Sequence, residues 1–191
     1  MNFIKLAGAG AVAFSFLASG LSAQSTEELP IGEPVEEAAR PGQPYVADTF
    51  GDWQIRCVTT PERADPCQMY QLLKLASGNS VAEISIVPAP PGNAAVAGAN
   101  IITPLGTLLG EQLTFTVDDL QSKRYPFTVC AQVGCMARVG FTASDLNNLQ
   151  KGNRAIVRIV SAQEPDRDVL ISVSLSGFTA AYDALLAAQG N

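Results

Sequence analysis

Tyr125-Pro-Phe-Thr-Val-Cys130-Ala-Gln-Val-Gly-Cys135-Met-Ala137 carries a strand–turn–strand pattern around which the rest of the chain is organised. Tyr125, Phe127 and Val129 alternate with other residues up to Cys130. A four-residue segment ending in Gly134 follows, and Cys135, Ala137 and Val139 alternate away again. Period-two alternation on both sides of a short glycine-containing turn is the pattern of a β-hairpin. A cysteine at each base of that turn would staple the hairpin in register, because a slip of one residue carries every apolar side chain to the wrong face.

The same short period recurs on both sides of this hairpin. Upstream, Trp53, Ile55 and Cys57 share a face in the segment Phe50 to Thr59, and a Pro-Glu-Arg-Ala-Asp-Pro turn leads to a second strand over Cys67 to Ala76. Ser80 to Val87 is a strand ended by prolines at 88, 90 and 91, which cannot continue a central ladder. Gly92 to Gly98 reads as a mobile loop, and Ala99 to Leu109, broken by Pro104 and Gly106, as two short edge pieces around a turn. Gln112 to Val117 alternates with Leu113, Phe115 and Val117 inward.

Downstream, Thr142-Ala-Ser-Asp145 fits a capping box opening a short helix with Leu146 and Leu149 on one stripe. Strands resume at Arg154 to Ser161 and Asp168 to Ser176, joined through Gln163 to Arg167. Phe178, Tyr182, Leu185 and Leu186 stand at helical spacing in the final segment. The expected architecture is all-β: an antiparallel sandwich or barrel-like domain with a short helix and a C-terminal helix.

The first 47 residues divide by composition. Residues 1–23 have a start carrying Lys5, an apolar run from Leu6 to Leu21 and a Leu-Ser-Ala ending, the three parts of a secretory signal peptide cleaved after Ala23. Residues 24–47 hold five acids, Arg40 and prolines at 30, 34, 41 and 44, which predicts a solvated acidic linker. Residues 48–191 form the β domain. Of 18 acids and 12 bases, Lys5 leaves with the leader, and five acids and Arg40 belong to the linker. The domain keeps thirteen acids and ten bases, a net of −3. That balance offers no electrostatic footprint for nucleic acid or anionic lipid, and no membrane span is expected once the leader is removed.

Four cysteines in an exported chain can pair in three ways. Cys57 with Cys67 and Cys130 with Cys135 are the expected disulfides, since each pair flanks one predicted turn. Loop-closure entropy puts the first at roughly 2.8 kcal/mol and the second at roughly 2.2 kcal/mol, both upper figures. The competing four-thiolate zinc site requires closer spacing than Cys57 and Cys67 have, and an oxidising compartment favours disulfides. Neither pair is a Cys-x-x-Cys redox motif. The acids near Asp166 and Asp168 lack the remaining positions of a calcium loop. No cofactor or metal is expected.

The chain contains no histidine. Ser-His-Asp and Cys-His catalysis, histidine-ligated metals and histidine pH switches are therefore excluded together. An enzyme here would have to use carboxylates, with a pair drawn from Asp52, Asp118, Asp119 and Asp145 acting on an envelope glycan as the alternative reading. Aspartates at turns and helix starts more often serve local hydrogen bonding, so no catalytic residue is assigned. Trp53, Tyr70 and Tyr125 are the candidate partner-binding side chains.

Phe50-Gly-Asp-Trp53 followed by Cys57, Cys67-Gln-Met69, the Pro-Leu-Gly segment at 104 to 106, Cys130 followed by Gly134-Cys135, and Leu175-Ser-Gly-Phe178 with Ala180 and Ala181 together resemble the invasion-associated locus B family of exported alphaproteobacterial proteins. The resemblance spans about Phe50 to Leu185. It implies a periplasmic, outer-membrane-associated or secreted, virulence-associated protein without established catalytic residues. The expected function is a non-enzymatic binding or structural domain with an envelope or host-surface protein as its partner.

Overall fold

Trp53, Ile55 and Cys57 are buried while Gln54 and Arg56 between them are only half-buried, and this alternation makes Trp53–Val58 a strand (β2) with one face in the core. The computed structural model describes residues 40–62 and 64–189. The expected leader, 1–23, and residues 24–39 of the expected linker lie outside them. Strand β1, Pro44–Phe50, starts inside the segment expected to be linker and pairs antiparallel with β2. It was missed because its side chains, apart from Phe50, are exposed on both faces and so carry no inward alternation.

From β2 the chain runs through β3 (Cys67–Lys74), β4 (Ser80–Pro88) and β5 (Ala97–Thr103), each antiparallel to the one before. Two expectations change at β5. Ala97 and Gly98, expected in a loop, are strand residues, and the strand is central, paired with β4 on one side and β9 (Gly134–Phe141) on the other. Pro104 sits just beyond its last residue, so the missing N–H falls outside the ladder. Ala97, Ala99, Ile101 and Thr103 form its buried face.

The segment from Tyr125 to Ala137 contains the seam of the sheet. β6 (Leu113–Val117) pairs with β7 (Lys123–Tyr125), and β8 (Phe127–Ala131) pairs with β9. The sheet order is β7-β6-β10-β11-β3-β4-β5-β9-β8, with β10 at Arg154–Ser161 and β11 at Glu164–Ser174. Its two ends, β7 and β8, are separated only by Pro126, so one bent strand closes an almost complete barrel. Proline has no N–H to offer the ladder and suits the point where pairing changes sides.

The β8–β9 hairpin is tighter than expected. Ala131 pairs with Gly134, leaving a two-residue turn of Gln132 and Val133. Gly134 has φ of 140°, and a Cβ there would collide with the carbonyl of Thr103. Cys130 and Cys135 stand directly opposite and are bridged, as are Cys57 and Cys67 across β2 and β3. The β10–β11 turn is likewise only Ala162 and Gln163. Val160 pairs with Asp168 and Ser161 with Glu164, which leaves Pro165, Asp166 and Arg167 bulged out of the ladder.

Both helices form where expected. Thr142 caps Ala143–Lys151 (α1): its hydroxyl accepts from the Asp145 N–H at 3.3 Å, and Asp145 accepts from the Thr142 N–H at 3.0 Å. Phe178–Gln189 (α2) buries Phe178, Ala181, Tyr182 and Leu185 against the barrel and leaves Leu186 exposed.

Candidate functional site

The barrel wall parts at one place. The first half of β3 pairs with β2, from Cys57 opposite Cys67 to Gln54 opposite Tyr70, while its far end meets β11 only at Lys74 opposite Ser172. Between these contacts β2 and β11 diverge, and a cleft of about 600 Å³ opens on the outer face. This volume lies within the range of small-ligand sites.

Alternation places the lining. Trp53, Ile55, Met69, Leu73, Ile171 and Val173 point inward, so their neighbours Gln54, Arg56, Tyr70, Leu72, Lys74, Ser172 and Ser174 border the cleft. Gln71 fills the gap beneath. Its Nε2 donates to the Ser174 carbonyl at 3.0 Å, and its Oε1 accepts from the Ser174 N–H at 2.9 Å. The Trp53 indole N–H donates to the same carbonyl at 2.9 Å, and the Ser174 hydroxyl donates to Asp52 at 2.6 Å.

On the outer wall the Arg56 guanidinium lies 3.3 Å from the Tyr70 ring centroid, and its Nε donates to Gln54 Oε1 at 3.0 Å. The Tyr70 hydroxyl donates to Glu83 at 2.8 Å. Burial raises the Tyr70 pKa first, and the hydrogen bond and charge of Glu83 raise it further. The ring is therefore a neutral, fixed plate under the guanidinium. Arg154, at the start of β10, lines the opposite side. Its backbone N–H, with that of Asn153, donates to Asp118, at 3.1 Å in each case. Arg56, Lys74 and Arg154 make no ion pair among the described residues, as is also true of Arg124, Arg138 and Lys151, while Lys123, Arg158 and Arg167 each have a carboxylate partner; what sets the first three apart is that they share one cleft.

The aromatic candidates separate. Trp53 is fully buried, edge-on to Phe178 at 5.3 Å between ring centroids, and so presents no surface to a partner. Its place on the inward face of β2 is the reason. Tyr70 lines the cleft. Tyr125 is half-buried beside a crevice of about 30 Å³ with Leu120, Phe141 and Asp145, room for little more than a water.

The four candidate acids also separate by role. Asp52 is held by Ser174, Asp118 braces the backbone before β10, Asp145 serves the α1 cap and Lys123, and Asp119 is exposed. Burial raises the Asp145 pKa, but the bonds from Lys123 and Thr142 outweigh it and leave the carboxyl below its usual range. That is the wrong direction for a general acid. Among the described residues no group of three or more His, Cys, Asp or Glu is placed to hold a metal ion, and no helix is long and apolar enough to cross a membrane.

Sequence reasoning missed Arg56, Lys74, Arg154 and Gln71 as a set. Arg56, Lys74 and Arg154 stand on three different strands, each at what looks locally like an ordinary solvent-facing position. The one available signal was Gln71, a polar residue in phase with buried Met69 and Leu73.

Comparison with known proteins gives a consistent picture. The family described as Invasion associated locus B (IalB) protein matches residues 53–186. Two proteins described as Invasion protein B homologs, from Brucella abortus strain 2308 and from Brucella abortus biovar 1 strain 9-941, are each 25% identical over 146 residues, 76% of this chain and 82% of theirs. The crystal structure of invasion associated protein b from Bartonella henselae shares the fold with a TM-score of 0.64 at 24% identity, covering 75% of this chain and 98% of that one.

Proposed function

This chain belongs to the invasion associated locus B family, and from that premise we propose that it is an exported, non-enzymatic recognition domain that binds its partner in the cleft between β2, β3 and β11. The observation that carries this reading is the convergence of Arg56, Lys74 and Arg154 on one cleft without ion-pair partners among the described residues. Unneutralised charge gathered in a concave site attracts ligands of opposite sign. The two disulfides and the secretory character of residues 1–23 support an oxidising, extracytoplasmic location, periplasmic or on the outer membrane. Tyr70 acts in this reading by fixing Arg56, while Trp53 and Tyr125 support the fold.

The test compares the wild-type chain with Lys74→Glu/Arg154→Glu for retention of envelope extract from the producing bacterium. Equal circular dichroism would show both to be folded. The wild type should retain components that the variant does not. Equal retention by both places binding elsewhere and overturns the cleft. Release of reducing sugar from envelope glycan by the purified protein would overturn the non-enzymatic part.

A further inference from the structure

We propose that the ligand of this cleft is an extended acidic peptide segment, an inference that rests on the cleft being the binding surface. Three features of the lining select this class. The first is charge: a chain of net −6 concentrates three bases on three different strands around one opening against a single lining acid, Asp52, which leaves the lining with an excess of positive charge. Carboxylate groups complement such a rim, and the terminal nitrogens of an arginine fixed through its Nε are presented as a fork that matches them.

The second feature is the lack of a free aromatic plate. Tyr70 is the one aromatic residue lining the cleft, and the Arg56 guanidinium covers its ring. A sugar ring would find no open aromatic face to stack on. The third is Leu72. It is 48% exposed and stands between Tyr70 and Lys74 on the outward face of β3, with half-buried Leu75 beyond the strand end. An aliphatic side chain set among cations suits a peptide in which acidic and apolar residues alternate, and gives a bare inorganic anion nothing to fill. Affinity for a ligand held by charge should accordingly fall as salt is added.

The experiment uses the full chain and fluorescence anisotropy with three labelled probes. These are an eight-residue peptide alternating Glu with Leu or Ala, the same peptide with Gln for Glu, and a hexamer of galacturonic acid. The Glu peptide should bind and the Gln peptide should not. Lys74→Glu/Arg154→Glu should weaken the Glu peptide about tenfold or more, and Leu72→Ser should weaken it severalfold. A galacturonate hexamer bound as tightly as the Glu peptide, with the same sensitivity to the charge reversal, would overturn the peptide class and leave the cleft standing. So would absent peptide binding combined with cleft-dependent retention of envelope extract. Glu-peptide binding unchanged in the charge-reversed variant would overturn both.

Discussion

Gln71 and Ser174 exchange a matched pair of hydrogen bonds in which a side-chain amide takes the place of a backbone rung, 2.9 Å in one direction and 3.0 Å in the other. Gln71 is only 6% exposed, so removing its amide strands the Ser174 N–H in a site water reaches poorly. Gln71→Leu is expected to cost about 1–3 kcal/mol. Urea unfolding of the two proteins measures it, and an unchanged midpoint would mean that the β3–β11 junction does not depend on this bridge.

Trp53 is the chain's single tryptophan, and Phe178 meets it edge to face. Its emission therefore reports one place, where α2 seals the barrel. Phe178→Ala should destabilise by about 3–5 kcal/mol and shift the emission to the red as water reaches the indole. A blue-shifted, unmoved spectrum in the variant would show that α2 does not shield this ring.

The two crosslinks differ in access. Cys57 and Cys135 are buried and Cys67 is half-buried, but Cys130 is exposed on the outermost strand. Limited reduction followed by alkylation and peptide mapping should label Cys130 and Cys135 before Cys57 and Cys67. Replacing each pair by serine should cost at most roughly 2.2 kcal/mol for the hairpin and 2.8 kcal/mol for the β2–β3 bridge. The reverse order of labelling would show that the β8–β9 hairpin is the better protected of the two.

Acid should unfold the barrel through a few carboxylates. The pKa values of Asp145, Asp65 and Asp168 are lowered: the first by Lys123 and Thr142 against the opposing effect of burial, the second chiefly by the Thr60 N–H, the third by Arg158. A lowered folded pKa contributes stability that is present above the unfolded value, about 3.9, and is lost as pH falls through the folded one. The melting temperature should drop as pH falls below about 4.5, and Asp145→Asn should flatten part of that drop while lowering stability at neutral pH. Parallel profiles for the two proteins would remove Asp145 from the account.

Much of the barrel could be read from the chain, because local rules governed those parts. The α1 cap needs only Thr142 and Asp145, β6 only Leu113, Phe115 and Val117, and each disulfide only cysteines flanking a turn. Failures came where a partner strand decides. Whether β5 is central or at an edge depends on β9, and β1 is held by β2 without an inward face of its own. The cleft depends on residues as far apart as Arg56 and Arg154, on strands that no local pattern brings together.

Pro126 marks where one strand changes allegiance, and this places a burden on the route to the native state. Until residues 123–131 have settled against both β6 and β9, two borders of the sheet stay open at once, each able to recruit a neighbouring molecule. Rungs such as Lys74 to Ser172 join distant parts of the chain and form slowly. The yield of refolding from denaturant should therefore fall as protein concentration rises, and a yield independent of concentration would show that the borders close before molecules meet.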